Sequence, residues 1–233
     1  MSQFWADISF LHWRVSPEVL TPFMPQGARP DIHAGSAWVG LLPFRMQRAG
    51  LGTGPPVPYL GSFWETNVRL YSTDDEGHRG VVFLSLEAER SVVVASARAI
   101  FNVPYYWAAM SGSGLHDDLI RYRTRRRLPH GIRSAAHRPS SDIEVRALEP
   151  IGDPGPTELF LSARFGLHTQ IAGRGLWVPN THRPWPLRRA EVTRLDDGLV
   201  TATGLPDLPS IRPPDHAMFS SGVHTVFGVP QRL

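Results

Sequence analysis

Residues 63–71 are the stretch that most constrains the fold. In a β-strand, successive side chains point to opposite faces. Glu65, Asn67 and Arg69 therefore share one face, while mostly apolar residues lie between them and face the other way. Glu65 and Arg69 lie about 13 Å apart on an extended strand, so each needs another partner in the fold or on a ligand. The pattern predicts a β-strand with one unusually polar face.

The distribution of proline and glycine favours short strands and turns over long helices. The 233 residues include 22 Pro and 21 Gly, which are spread along the whole chain. No shift in composition marks a domain boundary, so we predict a single domain over residues 1–233. The sequence shows no 18-residue apolar run and no charged start followed by an apolar segment. We therefore expect a cytoplasmic protein with no membrane partner.

Two residue types are absent, and both absences limit the chemistry. The chain has no cysteine, which excludes disulfides, thiolate nucleophiles and cysteine metal ligands. It has no lysine either, so all 24 basic residues are arginine and no side-chain amine can form a Schiff base. The ten histidines are scattered without a metal-binding spacing. We expect neither a metal nor a cofactor.

Alternation and turn residues predict most of the secondary structure. We predict strands over residues 6–15, 63–71, 80–87, 119–128 and 142–148. We predict short helices beginning after Ser16 and over residues 92–101 and 156–164, and a hairpin turn at Ala34-Gly35.

A cluster of arginines raises the question of nucleic acid as a partner. The cluster consists of Arg121, Arg123, Arg125, Arg126 and Arg127. Such residues can contact phosphates, but a solvated strand face with nearby acids is the better interpretation. The net charge is only +3, and no known nucleic-acid module surrounds the cluster. We predict no nucleic-acid partner.

Several short motifs occur in order along nearly the whole chain, at residues 10–15, 37–40, 43–44, 65–71, 83–86, 97–98, 104–106, 160–164, 182–187 and 221–223. Together they resemble the YqjF-like family of uncharacterised conserved proteins. This family is similar to the broader acetoacetate-decarboxylase-like superfamily. The resemblance implies a mainly-β (α+β) fold. It also implies a closed or nearly closed β-barrel with a few short flanking helices and an internal ligand cavity. Relatives often form oligomers, so a homo-oligomer is expected.

The chain departs from acetoacetate decarboxylase where that enzyme carries its reactive lysines. The enzyme's Gly-Arg-Glu segment and its Pro-Lys-Lys segment correspond here to residues 97–99 and 104–106. Arginine and proline are kept, but both lysines are replaced by Tyr105 and Tyr106. Schiff-base decarboxylation is thereby excluded, although Glu65 still matches an acidic residue of the enzyme's cavity.

These observations predict a polar cavity that takes a small-molecule ligand. Candidate catalytic residues are Glu65, Arg98, Tyr105 and Tyr106. Candidate ligand-binding residues are Asn67, Arg69, His12, Trp38, His182 and Trp185. Because strand residues alternate, only one of the two adjacent tyrosines can face the cavity. Arg98 either anchors an anion or is a core arginine paired with Glu65 or Glu87.

Each candidate also has a purely structural interpretation. Glu65, Asn67 and Arg69 could form a buried polar network that fixes strand register, and the histidines and tryptophans could be core residues. The leading functional hypothesis is a binding protein for a carboxylate- or carbonyl-bearing metabolite. The alternative is a lyase or isomerase that uses Glu65 as a general base without a covalent intermediate. A third hypothesis, nucleic-acid binding through the arginine cluster, ranks below both.

Overall fold

The computed structural model describes residues 2–50, 61–90, 103–127 and 138–233, which form a mainly-β protein. The strands are β1 Ser2–Val15, β2 Ala28–Pro30, β3 Ala37–Gly50, β4 Phe63–Asp74, β5 Arg79–Ala88, β6 Tyr105–Gly112, β7 Leu119–Arg126, β8 Ser140–Pro150, β9 Gly166–Ile171, β10 Arg174–His182, β11 Leu187–Asp197, β12 His216–Phe227 and β13 Gln231–Arg232. The helices are α1 Pro17–Leu20, a 3₁₀ turn Thr21–Phe23, α2 Pro156–Ser162, α3 Leu199–Ala202 and α4 Leu208–Ile211.

The sheet closes on itself. Strand pairing runs β5-β6-β7-β8-β11-β12-β1-β3-β4 and returns from β4 to β5, a ring of nine strands. Strands β9 and β10 link β5 to β12 by a second route. Strands β12, β1, β3, β4 and β5 therefore belong to two closed paths, and both of their faces are covered.

Each face of these shared strands packs a separate apolar core. The first core contains Phe10, Tyr71 and Trp185 and lies on the side of β9, β10 and α2. The second core contains Leu70 and Phe219 and lies on the side of β7, β8 and α3. Alternation along one strand thus supplies two cores at once, which explains why so little of β4 is exposed.

The structure confirms the mainly-β class with a few short helices, although several boundaries differ. The predicted strands lie within β1, β4, β5, β7 and β8, except that β7 ends at Arg126 and residue 128 of the 119–128 prediction lies outside the described residues. Pro17 begins α1 as predicted, and α2 ends at Ser162 rather than at residue 164. The predicted helix at 92–101 lies outside the described residues.

The predicted hairpin is only partly correct. Ala34 and Gly35 turn the chain with φ values of 50° and 76°, and His33 bridges Ser36 across them. The flanking strands β2 and β3 do not continue this pairing, because both pair with β4 instead. Within the part of the chain that the structure describes, no helix has the length and apolar character needed to cross a membrane.

Candidate functional site

Strand β4 carries the predicted polar face into the first core. Glu65, Asn67 and Arg69 are 2%, 5% and 7% exposed. Tyr71 continues the same alternation two residues further on and is fully buried. All four side chains therefore lie on the side of β4 that faces the first core, where each polar group needs a hydrogen-bond partner.

Glu65 is held by a tyrosine rather than by a cation. The Tyr105 hydroxyl donates a hydrogen bond to Glu65 Oε2 over 3.1 Å. Burial raises the pKa of Glu65 from 4.5 to about 8, and the hydrogen bond from Tyr105 offsets only part of that rise. Burial and the adjacent Glu65 also raise the pKa of Tyr105 well above 10. At neutral pH both groups carry their protons.

Arg69 sits in a cluster of neutral partners. Its Nε and Nη2 donate to the Tyr71 hydroxyl over 3.2 and 2.9 Å, and Nη2 also donates to the Leu161 carbonyl over 3.0 Å. His12 Nε2 lies 2.5 Å from the same hydroxyl. Burial, reinforced by the charge of Arg69, lowers the pKa of His12 well below 6.5, so the imidazole is neutral. Among the described residues Arg69 has no carboxylate partner.

Several buried polar atoms beside this cluster lack hydrogen-bond partners among the described residues. They are Asn67 Oδ1, His12 Nδ1 and Trp38 Nε1. Buried polar groups in folded proteins are nearly always bonded, and each exception calls for an explanation such as a ligand or a bound water. Of the predicted network of Glu65, Asn67 and Arg69, Asn67 therefore has an oxygen that no described residue satisfies.

The remaining predicted ligand-binding residues form walls. Trp38 is buried and lies edge-on to His12 with centroids 6.4 Å apart. Trp185 stacks on Trp5 and donates from Nε1 to the Ser162 carbonyl over 3.0 Å. His182 lies at the rim of the core, against Trp185. These rings pack around the first core, and in the described part of the chain none of them hydrogen-bonds to Glu65.

Of the two adjacent tyrosines, only Tyr105 faces Glu65. Tyr106 points to the opposite face of the sheet, where its ring lies 3.7 Å from the guanidinium carbon of Arg126. The grouping of Tyr106 with Glu65 is therefore wrong, because consecutive strand residues cannot share a face. Arg98 lies outside the described residues. Glu87, one of the two carboxylates considered as a partner for Arg98, is paired with Arg126.

The arginine cluster divides between solvent and interior. Arg121 and Arg123 both lie against Asp142, as a solvated face with nearby acids predicts. Arg126 is only 1% exposed, so its assignment to the solvated face is wrong. The strict alternation of β7 turns Arg126 inward, away from Arg125 and Arg127, both of which are exposed.

Reasoning from sequence missed Tyr71 and Arg164. Tyr71 joins Arg69 to His12, and the alternation that selected residues 65, 67 and 69 also selects position 71. Arg164 packs over the Tyr71 ring at 4.9 Å and pairs with Asp31 over 2.5 Å. Burial lowers the pKa of Arg164 to about 10 despite that partner. No sequence signal marks this pair, because its two members are 133 residues apart.

The described residues hold no group of three or more histidine or carboxylate side chains placed to bind a metal ion. What they do hold near β4 is a set of hydrogen-bond donors. A protonated carboxyl, a tyrosine hydroxyl and a guanidinium suit the recognition of oxygen atoms on a small molecule.

The fold is similar to that of solved acetoacetate-decarboxylase-like proteins. Acetoacetate decarboxylase from Legionella pneumophila subsp. pneumophila str. Philadelphia 1 matches with a TM-score of 0.67 and 11% identity, covering 100% of this chain and 86% of that chain. Enduracididine biosynthesis enzyme MppR complexed with pyruvate matches with a TM-score of 0.63 and 13% identity, covering 99% and 89%. An acetoacetate decarboxylase-like enzyme from Sphingomonas wittichii RW1 has a TM-score of 0.61 and 13% identity, covering 100% and 92%. The predicted acetoacetate-decarboxylase-like fold is confirmed.

The sequence itself places the chain in a family. Residues 2–224 match DUF2071, described as an uncharacterized conserved protein. The uncharacterized protein YqjF of Bacillus subtilis (strain 168) is 30% identical over 210 residues, which cover 88% of this chain and 82% of that protein. The chain belongs to the DUF2071 family, and the resemblance to YqjF-like proteins is confirmed.

Proposed function

We propose that this protein binds a small metabolite carrying a carboxylate or carbonyl group beside Glu65, Asn67 and Arg69. The observation that carries the proposal is the Glu65–Tyr105 pair, a buried carboxyl with no cationic partner among the described residues. Burying an ionisable group without compensation costs stability. Such a cost is typical of sites that hold a proton for a ligand or a reaction.

The donors around the pair define the class of ligand. With a pKa of about 8, Glu65 is protonated at neutral pH and can donate to a carbonyl oxygen. Arg69 offers a positive charge that no described carboxylate neutralises, which suits a carboxylate group. Because Glu65 and Arg69 lie about 13 Å apart on the extended strand, a small ligand would meet Glu65 through a carbonyl or Arg69 through a carboxylate, rather than both at once. Pyruvate, bound to MppR in a structure of the same fold, carries both groups and suits either position.

Covalent amine chemistry is excluded from this proposal. The chain has no lysine, and Tyr105 and Tyr106 stand in the segment that resembles the Pro-Lys-Lys segment of acetoacetate decarboxylase. The turnover that we consider is therefore proton transfer without a Schiff base. The raised pKa of Glu65 favours one such candidate, a lyase or isomerase in which Glu65 moves a proton to or from the carbon next to a carbonyl.

Titration calorimetry with pyruvate and with acetoacetate at pH 7 tests the proposal. We expect saturable binding to the wild type that Glu65→Ala, which removes the donor, weakens by about 1.5 to 3 kcal/mol, roughly ten- to hundredfold. The matched control is Glu191→Ala, because the Glu191 side chain lies on β11 and is 62% exposed. Equal binding by Glu65→Ala and wild type, or no binding of either acid, would refute the proposal.

Proton exchange separates a binder from an enzyme. In D₂O, enolisation of bound pyruvate replaces the methyl protons with deuterium, and the loss of the methyl signal is followed by NMR. Saturable binding without exchange or product supports the binding protein. Exchange that is lost in Glu65→Gln supports the enzyme. The cytoplasmic location and homo-oligomeric assembly remain predictions, which cell fractionation and light scattering measure.

A further inference from the structure

A pocket lies on the other face of the sheet from Glu65, next to the second core. Its volume is about 260 Å³, far more than the roughly 15 Å³ that one water needs and just below the roughly 300 Å³ at which drug-sized sites begin. Its walls include Phe23, Phe83, Leu84, Tyr106, Arg126 and Ala202. The pocket has room for a small molecule, and its lining is about equally polar and apolar.

A β-bulge shapes one wall of this pocket. Across the β4–β5 pair, Val68 is opposite Ser85 and Arg69 is opposite Phe83, so Leu84 is an extra residue without a partner. The bulge brings Leu84 and Ser85 to the same pocket, although consecutive residues of a regular strand point to opposite faces. Bulges of this kind often re-aim side chains beside functional sites. Phe83 and Leu84 are consequently only half-buried.

Arg126 is the charged residue among the walls of the pocket. Its Nε donates to Glu87 over 3.1 Å and its Nη2 donates to the other oxygen of the same carboxylate. The Tyr106 ring covers the guanidinium at 3.7 Å. Nη1 has no hydrogen-bond partner in the part of the chain that the structure describes, although the side chain is 1% exposed. One donor of a buried guanidinium is therefore left for a guest.

The presence of Glu87 beside Arg126 favours an uncharged guest over an anionic one. Because Glu87 already neutralises Arg126 through two hydrogen bonds, a second carboxylate at Nη1 would lie near a like charge. An uncharged acceptor oxygen meets no such repulsion, and Phe23 and Leu84, which both pack against the second core, suit a hydrocarbon body. We propose a second ligand site here, separate from Glu65, that binds a small uncharged molecule with a carbonyl oxygen on Arg126 Nη1 and an apolar body against Phe23 and Leu84.

Titration of ¹⁵N-labelled protein with cyclohexanone, followed by the arginine Nε–Hε signals in NMR, tests this site. We expect a saturable shift of the Arg126 signal, and we expect cyclohexanecarboxylate to bind more weakly than the ketone. Ala202→Leu should fill the pocket and weaken cyclohexanone binding by at least about tenfold, or about 1.4 kcal/mol. Thr201→Leu is the matched control, because Thr201 is exposed on the same helix and does not line the pocket.

Two further variants keep the result interpretable. If circular dichroism shows that Ala202→Leu does not fold, Ala202→Met fills the same space with a more flexible side chain. Glu65→Gln should leave cyclohexanone binding unchanged within about twofold, which separates this site from the one beside Glu65. The proposal is overturned if wild type shows no saturable shift or if the carboxylate binds as tightly as the ketone. Equal effects of the Ala202 and Thr201 variants would overturn it as well.

Discussion

Replacing Glu65 with glutamine should change how stability depends on pH. Glutamine keeps the size and hydrogen-bonding capacity of a protonated glutamate but does not titrate. In the folded protein Glu65 holds its proton up to a pKa of about 8, whereas an unperturbed glutamate releases it near 4.5. Between these two values the unfolded chain binds fewer protons than the folded chain, so the free energy of unfolding falls as pH rises.

The size of the effect follows from the same two values. The interval of about 3.5 pH units, at about 1.36 kcal/mol per unit, corresponds to about 5 kcal/mol. This stabilisation is fully present below pH 4.5 and is lost as pH rises through about 8. We therefore expect wild type to lose about 5 kcal/mol relative to Glu65→Gln between pH 4.5 and pH 8. At pH 8 the glutamine variant should be the more stable protein.

Urea denaturation of both proteins at half-unit pH steps from 4.5 to 8.5 measures this difference. Other groups with shifted pKa values, such as Asp197 with its pKa raised to about 6, are present in both proteins and cancel in the comparison. Glu191→Gln, at an exposed position, should run parallel to wild type across the range. Parallel curves for wild type and Glu65→Gln would show that Glu65 is ionised in the folded protein and would refute the reasoning.

Three other substitutions test the surrounding structure. Arg126→Met leaves Glu87 buried without its partner and should lower the free energy of unfolding by about 3 to 5 kcal/mol in urea denaturation. Adding Glu87→Met should recover most of that loss. A double variant no more stable than Arg126→Met alone would contradict this. Gly166→Ala places a Cβ 2.3 Å from the Trp177 ring and should lower stability by about 1 to 3 kcal/mol in thermal melting, so an unchanged melting temperature would count against the packing. Asp142→Asn, at a carboxylate whose arginine neighbours lower its pKa from 3.8, should cost about 1 kcal/mol at pH 7. That loss should shrink as pH falls from 3.8 through the lower pKa of Asp142 in the folded protein, because the aspartate then becomes uncharged as well, and a loss independent of pH would contradict the charge argument.

The polar face of β4 could be read from the sequence because it depends only on local geometry. Alternation with a period of two placed Glu65, Asn67 and Arg69 together, and the structure has all three buried on one side. The same rule required Tyr105 and Tyr106 to diverge, although it could not say which of them meets Glu65. That choice depends on the register between β5 and β6, which pairs Leu86 with Tyr105. The local sequence pattern does not contain this register, because the two strands are separated along the chain.

Long-range pairing accounts for what the sequence could not predict. Arg126 belongs to a run of arginines that is typical of a solvated strand, and only its distant partner Glu87 explains its burial. Asp31 and Arg164 are likewise brought together by the fold across 133 residues. The bulge at Leu84 is also invisible in the sequence, because residues 81–84 are apolar and fit a regular buried strand equally well.

The two faces of β4 and β5 hold two buried carboxyl groups in opposite chemical situations. Glu87 is opposite Thr66 in the β4–β5 register, one residue from Glu65, but it points to the other face and binds Arg126. Glu65 has a tyrosine hydroxyl and no described cation. An ion pair can hold a carboxylate in a core with little net cost, whereas an unpaired carboxyl lowers stability at any pH above its unperturbed pKa. Because glutamine would avoid that cost in the same space, packing alone does not account for an acid at position 65. The property that glutamine lacks is an exchangeable acidic proton, and that proton is what a site for a carbonyl or carboxylate ligand would use.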